Sequence, residues 1–142
     1  MPYRPLTPFH LAIPVNDLVE AKEFYHGILG AEIGRSDNTW IDFNFFGHQL
    51  VCHLSQFKSI KITNPVDDDD VPVPHFGLVL EWENFHQLTN ELEGKKIKFL
   101  IEPTIRFEGQ IGEQAIVFLE DPFGNAIEFK SFKDMENLFR SD

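Results

Sequence analysis

The 142-residue chain carries 12 basic and 23 acidic side chains, a formal charge of −11, and is 42% apolar with 15 phenylalanines. This balance excludes a basic surface for nucleic-acid phosphates and adsorption to an anionic membrane, and it supplies the core of one domain. Cys52 is the single cysteine, Met1-Pro2-Tyr3-Arg4-Pro5 lacks the layout of a secretory leader, and no run approaches about 20 apolar residues, so the expected setting is the cytoplasm.

The first half opens with Phe9-His10-Leu11-Ala12-Ile13-Pro14-Val15, a strand by its β-formers, followed by Asn16 and Asp17 with N-cap chemistry. Leu18, Ala21, Phe24, Tyr25, Ile28 and Leu29 recur at helical spacing, and Gly30 stops the run. Strands are expected around Thr39 to Phe45 and Gln49 to Leu54, with a turn at Asn44-Phe45-Phe46-Gly47.

A linker from about Ser55 to Pro74 follows. Its Asp67-Asp68-Asp69-Asp70 run reads as a solvated, self-repelling loop, and Pro72 and Pro74 stiffen the entry to the next strand. The second half then repeats the order. Pro74 to Leu80 is the opening strand, Asn84 the cap, Phe85, Leu88 and Leu92 a helical face, and Gly94 the stop. Gln114 to Leu119 and Ala126 to Phe132 are strands joined by an Asp121-Pro122-Phe123-Gly124 turn. Each half reads as β-α-β-β-β, in modules of about 8–55 and 75–132 within one domain. A single half could not bury both faces of its sheet.

His10 and His75 are offset by 65 residues, Gly47 and Gly124 by 77, so the second half carries 12 extra residues. These are assigned to Glu102 through Glu113, a segment too polar for core and expected as a surface or functional loop.

His10 and His75 occupy the same place in two repeated strands. A lone strand histidine is usually a packed core residue, but the repeat brings this pair under one explanation. Glu128 is the odd residue in Ala126-Ile127-Glu128-Phe129, where a carboxylate costs several kcal/mol if buried without a partner. Its plainer role is an exposed strand position beside Lys130. Two imidazoles and a carboxylate suit Fe(II), Mn(II), Zn(II) or Ni(II).

The doubled order, the histidine in both opening strands and the ending Asp121-Pro122-Phe123-Gly124-Asn125-Ala126-Ile127-Glu128-Phe129 together resemble the vicinal oxygen chelate superfamily. That group includes glyoxalases, extradiol dioxygenases and antibiotic-resistance proteins. The resemblance covers about residues 8–132. It implies an α+β fold of two tandem βαβββ modules forming a curved mixed-sheet cleft with helices outside, a divalent metal on His10, His75 and Glu128, and a homodimer. Aligning Phe46-Gly47 with Phe123-Gly124 sets Val51 at the fourth family ligand position, and a two-residue slip would set His53 there. Three ligands leave open positions, as in the extradiol dioxygenases, for which Fe(II) is the favoured ion.

His48, three residues before Val51, matches an acid–base histidine of those enzymes, and His53 shares the strand face of Val51, so both are candidates for proton transfer. Phe118 stands where the extradiol enzymes often carry a tyrosine and is a candidate substrate contact. Arg106 is positioned either to clamp a substrate carboxylate or to pair with Glu102 or Glu108. Three functions follow from the resemblance. The leading one is an extradiol-type dioxygenase acting on a small vicinal-oxygen substrate. The others are a glyoxalase-like lyase or isomerase and a non-catalytic binding protein.

Overall fold

The computed structural model describes residues 6–56 and 61–141. The expectations for residues 1–5 and for the linker stretch 57–60 lie outside the described residues. The chain divides into two compact units, Met1–Ser59 and Ile60–Asp142.

In the first unit β1 (His10–Val15) leads into α1 (Leu18–Lys22), capped by Asp17, whose Oδ1 accepts from the Val19 and Glu20 amides at 2.8 and 3.0 Å. The helix does not stay α-helical to its end. Glu23–Ile28 widens into a π-helical turn, with the Leu29 amide reaching the Phe24 carbonyl, and Gly30 closes it at φ 76°. Ala21, Phe24, Tyr25 and Leu29 are all buried along this element. Three strands follow, β2 (Glu32–Ser36), β3 (Trp40–Phe45) and β4 (His48–Leu54), in the spatial order β1-β4-β3-β2. The pairing of β1 with β4 is parallel and the others are antiparallel. The turn joining β3 and β4 lies one residue later than the sequence suggests. Phe45 pairs with His48, leaving Phe46 and Gly47 as a two-residue turn with φ of 53° and 89°, while the Asn44 side chain accepts from the Gly47 amide at 2.8 Å.

The second unit repeats the scheme with β7 (Phe76–Val79), α2 (Trp82–Glu93), β8 (Lys98–Arg106), β9 (Gln114–Glu120) and β10 (Ala126–Phe132), in the order β7-β10-β9-β8. Its N-cap is Glu81 rather than Asn84, and Phe85, Thr89 and Leu92 are the buried helix positions. The two four-stranded mixed sheets are those of tandem βαβββ modules.

Three segments depart from the sequence-based expectation. The linker is not all loop. Ile62–Val66 (β5) and Asp69–Val73 (β6) pair as a hairpin, and Asp67 and Asp68 supply its turn at φ 48° and 69°. Aspartate tolerates this left-handed backbone better than most side chains, and the flanking Val66, Val71 and Val73 favour strands. The hairpin seats on the second sheet through Val71, which packs with Ile116 and Phe118. The polar segment beginning at Glu102 is strand as far as Arg106, and only residues 107–113 form a loop. Polar residues suit β8 because it pairs only with β9 and alternates exposed with half-buried positions over much of its length. Register shifts between Phe99 and Thr104 accommodate Pro103. Finally, β2 has no apolar alternation that would announce it, since all five of its residues are exposed.

The 107–113 loop is fastened by Glu113, which is buried, takes a 2.9 Å ion pair from Lys133 and accepts from the Gly109 amide at 3.2 Å. The Lys133 hydrogen bond holds the carboxyl below the ordinary 4.5 despite the opposing effect of burial. The same hydrogen bond raises the ammonium above 10.5. A lowered carboxylate stabilises the fold fully above pH 4.5 and ceases to do so as pH falls through its folded value; a raised lysine stabilises it fully below 10.5 and ceases to as pH rises through its folded value. Thermal melts of Lys133→Met across pH should therefore lose part of both the acid and the alkaline decline seen in the parent. An unchanged profile would mean that the pair contributes nothing.

Gly77 permits the β7–β10 pairing. A Cβ there would overlap the Glu128 carbonyl oxygen, a backbone atom that cannot swing away. Gly77→Ala is expected to cost about 1–3 kcal/mol or more in urea unfolding, because the strand must shift to relieve the overlap.

Candidate metal centre

The parallel pairing of β7 with β10 sets Gly77 opposite Glu128, with His75 just before the strand. His75 Nε2 comes to 3.0 Å from Glu128 Oε2. On the other side of the ring, Nδ1 lies 2.7 Å from the Pro72 carbonyl oxygen at the end of the β5–β6 hairpin. A carbonyl can only accept, so Nδ1 carries the proton and donates it. In the neutral ring, Nε2 then aims a lone pair at the carboxylate. Two acceptors do not belong 3.0 Å apart unless a proton or a cation lies between them. With bonds of about 2.0–2.2 Å, atoms at this spacing reach one ion at adjacent positions, roughly a right angle apart. A carbonyl behind the ring is the usual outer partner of a metal-ligating histidine.

Phe118 completes this part of the site. It pairs with Glu128 across β9 and β10, is 2% exposed, and meets the His75 ring edge-on with centroids 4.9 Å apart. Arg106, at the end of β8, directs its guanidinium to Asp67 at 3.3 Å and Asp69 at 2.7 Å. Its partners are thus the aspartates of the hairpin, not Glu102 or Glu108.

In the first unit His10 pairs with Gln49 across β1 and β4, and its Nδ1 is 2.8 Å from Gln49 Oε1. Val51 sits opposite Ala12 on one side and Asp42 on the other, just as Glu128 sits between Gly77 and Phe118. Strand register therefore matches Val51 with Glu128. His53 lies two residues on, opposite Pro14 and Trp40, exposed and on the Val51 face by strand alternation. His48 falls on the other face, with Leu50 and Cys52, and its Nδ1 accepts from the Phe9 amide at 2.9 Å.

The structure thus gathers His75, Glu128 and Phe118 in the second unit, while His10, His48 and His53 belong to the first. Within each unit, among the described residues, no three His, Cys, Asp or Glu side chains converge as a ready-made metal cluster. The sequence reading passed over Gln49, Asp42 and Pro72. Asp42 carried a usable signal, because it is a carboxylate in the apolar strand Trp40–Phe45, the same anomaly that singled out Glu128.

Residues 7–129 match the family model described as Glyoxalase/Bleomycin resistance protein/Dioxygenase superfamily. Among solved structures, a glyoxalase/bleomycin resistance protein/dioxygenase from Alicyclobacillus acidocaldarius is 36% identical, with a TM-score of 0.81, covering 96% of this chain and 98% of that one. The fosfomycin resistance protein FosX from Listeria monocytogenes has the same fold at 16% identity and a TM-score of 0.64, covering 91% and 93% of the two chains. Lactoylglutathione lyase from Agrobacterium tumefaciens does so at 18% identity and 0.62, covering 91% and 96%. A comparison with curated proteins finds no match. On the family model and the 36% relative, the chain belongs to the glyoxalase/bleomycin resistance protein/dioxygenase superfamily.

Proposed function

We propose that this protein is a divalent-metal-dependent enzyme that holds its ion through His10, His75 and Glu128 and acts, in the manner of an extradiol-type dioxygenase, on a small substrate with two adjacent oxygens. The observation that carries the reading is the His75–Glu128 pair, 3.0 Å apart with the Pro72 carbonyl behind the ring. His10 enters on the repeat: it holds in β1 the place that His75 holds before β7, and it too has an oxygen behind its Nδ1. Val51, at the place of Glu128, leaves three protein ligands and open positions.

When bound, the ion lowers the pKa of a chelated hydroxyl and orients the oxygen pair, with Fe(II) the favoured metal and Zn(II), Ni(II) or Mn(II) the others. Two neutral imidazoles and one carboxylate keep the centre positive by about one charge, which draws an anionic substrate into an acidic protein. Phe118 steadies the His75 ring. His53, on the Val51 face, is the proposed proton-transfer group, whereas His48 is engaged at the opposite face. Arg106 supports the hairpin, and a substrate carboxylate would have to displace its aspartates. A cytoplasmic homodimer completes the proposal, on composition and resemblance alone. Phe118, where a dioxygenase would carry a tyrosine, favours a glyoxalase-like lyase or isomerase as the second reading.

Protein purified without oxygen is expected to bind close to one equivalent of Fe(II) and to cleave catechols with a coloured product. His75→Ala and Glu128→Gln should each weaken metal binding by more than the 10–100-fold typical of outer-shell changes. Turnover with Zn(II) or Ni(II) and none with Fe(II) and oxygen would select the lyase or isomerase. Metal affinity unaffected by either substitution would remove the metal centre altogether.

A further inference from the structure

The side chains behind His10 form a chain with one consistent direction. Asp42 is 8% exposed, and its Oδ2 lies 3.2 Å from Gln49 Nε2. Arg35 Nε stands 3.9 Å from the same oxygen. An ionised carboxylate only accepts, so the Gln49 amide must turn its NH₂ toward Asp42. Its carbonyl oxygen is then committed to His10, 2.8 Å from Nδ1. An oxygen there requires Nδ1 to be the protonated nitrogen. The lone pair is left on Nε2, the nitrogen free to meet a metal.

We infer that Gln49 and Asp42 are positioning residues for His10: Asp42 orients the Gln49 amide, and Gln49 fixes the imidazole as its Nδ1–H tautomer with Nε2 ready for the ion. This rests on the proposal that His10 is a ligand. Gln49 does for His10 what the Pro72 carbonyl does for His75.

The tautomer is readable without metal or substrate. In nitrogen-15 spectra of the metal-free full chain, the ring signals lost in His10→Ala belong to His10. In the parent these should show a protonated Nδ1 and a bare Nε2. Gln49→Leu, at an exposed position that should fold normally, is expected to release this preference. Asp42→Asn, nearly isosteric, should give mixed tautomers because an amide can face Gln49 with either atom. Zn(II) titration should show affinity falling about 10–100-fold in Gln49→Leu. A proton on Nε2 in the parent, or a tautomer indifferent to Gln49→Leu, overturns the positioning role and leaves the metal proposal standing. A tautomer that follows Gln49 while His10→Ala binds Zn(II) as tightly as the parent overturns the ligand role of His10, and with it the purpose assigned here to Gln49.

Discussion

In each half the first strand lies parallel to the last, and the candidate site is built around this pairing. Parallel neighbours need a long crossover, and here a helix and two strands fill it. The arrangement brings His75 beside Glu128 and His10 beside Gln49 although about 40 to 50 residues separate them along the chain. It also constrains what can stand opposite. Gly77 is needed where β7 approaches the Glu128 backbone, while Ala12 suffices at the matching place in β1. The helices serve the pairing from the other face, where Phe85 and Leu92 or Phe24 and Tyr25 are buried.

The hairpin between the halves is bound to the second sheet by an apolar cluster and by ion pairs. Val71 joins an apolar cluster with Ile116 and Phe118, Arg106 spans Asp67 and Asp69, and Lys61 reaches Glu120 at 3.2 Å. The exposed Lys61 pair is worth little, so the seat rests on the burial of Val71 and on the partly buried Arg106–Asp69 pair. The Pro72 carbonyl that holds His75 belongs to this hairpin. A segment that looks like a charged spacer therefore orients a candidate ligand.

Much of this was legible because repetition carries information that a single strand does not. Equal placement of His10 and His75, and of Gly47 and Gly124, gave the modules and the match of Val51 with Glu128, which strand register then supports. Signals failed where local pattern and pairing partner part ways. β2 and β8 are edge strands whose polar or exposed residues leave no period-two apolar trace. The aspartate run hid a turn, because its charge was more conspicuous than its tolerance of left-handed backbone. His48 shows where spacing and strand face part ways. Its spacing of three from Val51 looked functional, yet an odd spacing along a strand reaches the opposite face.

The two halves solve one problem with different materials. A histidine offered to a metal needs its other nitrogen held, and the second half uses a backbone carbonyl, which has no alternative orientation. The first half uses an amide side chain, which can turn over, and so needs a further group to fix it. Asp42 is that group, and it stands at the position that Phe118 fills in the second half. Beside Glu128, the proposed ligand, stands a buried ring with nothing to ionise. Beside Val51, which has no ligand atom, stands a carboxylate that accepts from the Gln49 amide. On the proposed metal reading, the divergence of the repeats puts the one ligand carboxylate in the second half and an orienting pair of side chains, Gln49 and Asp42, in the first.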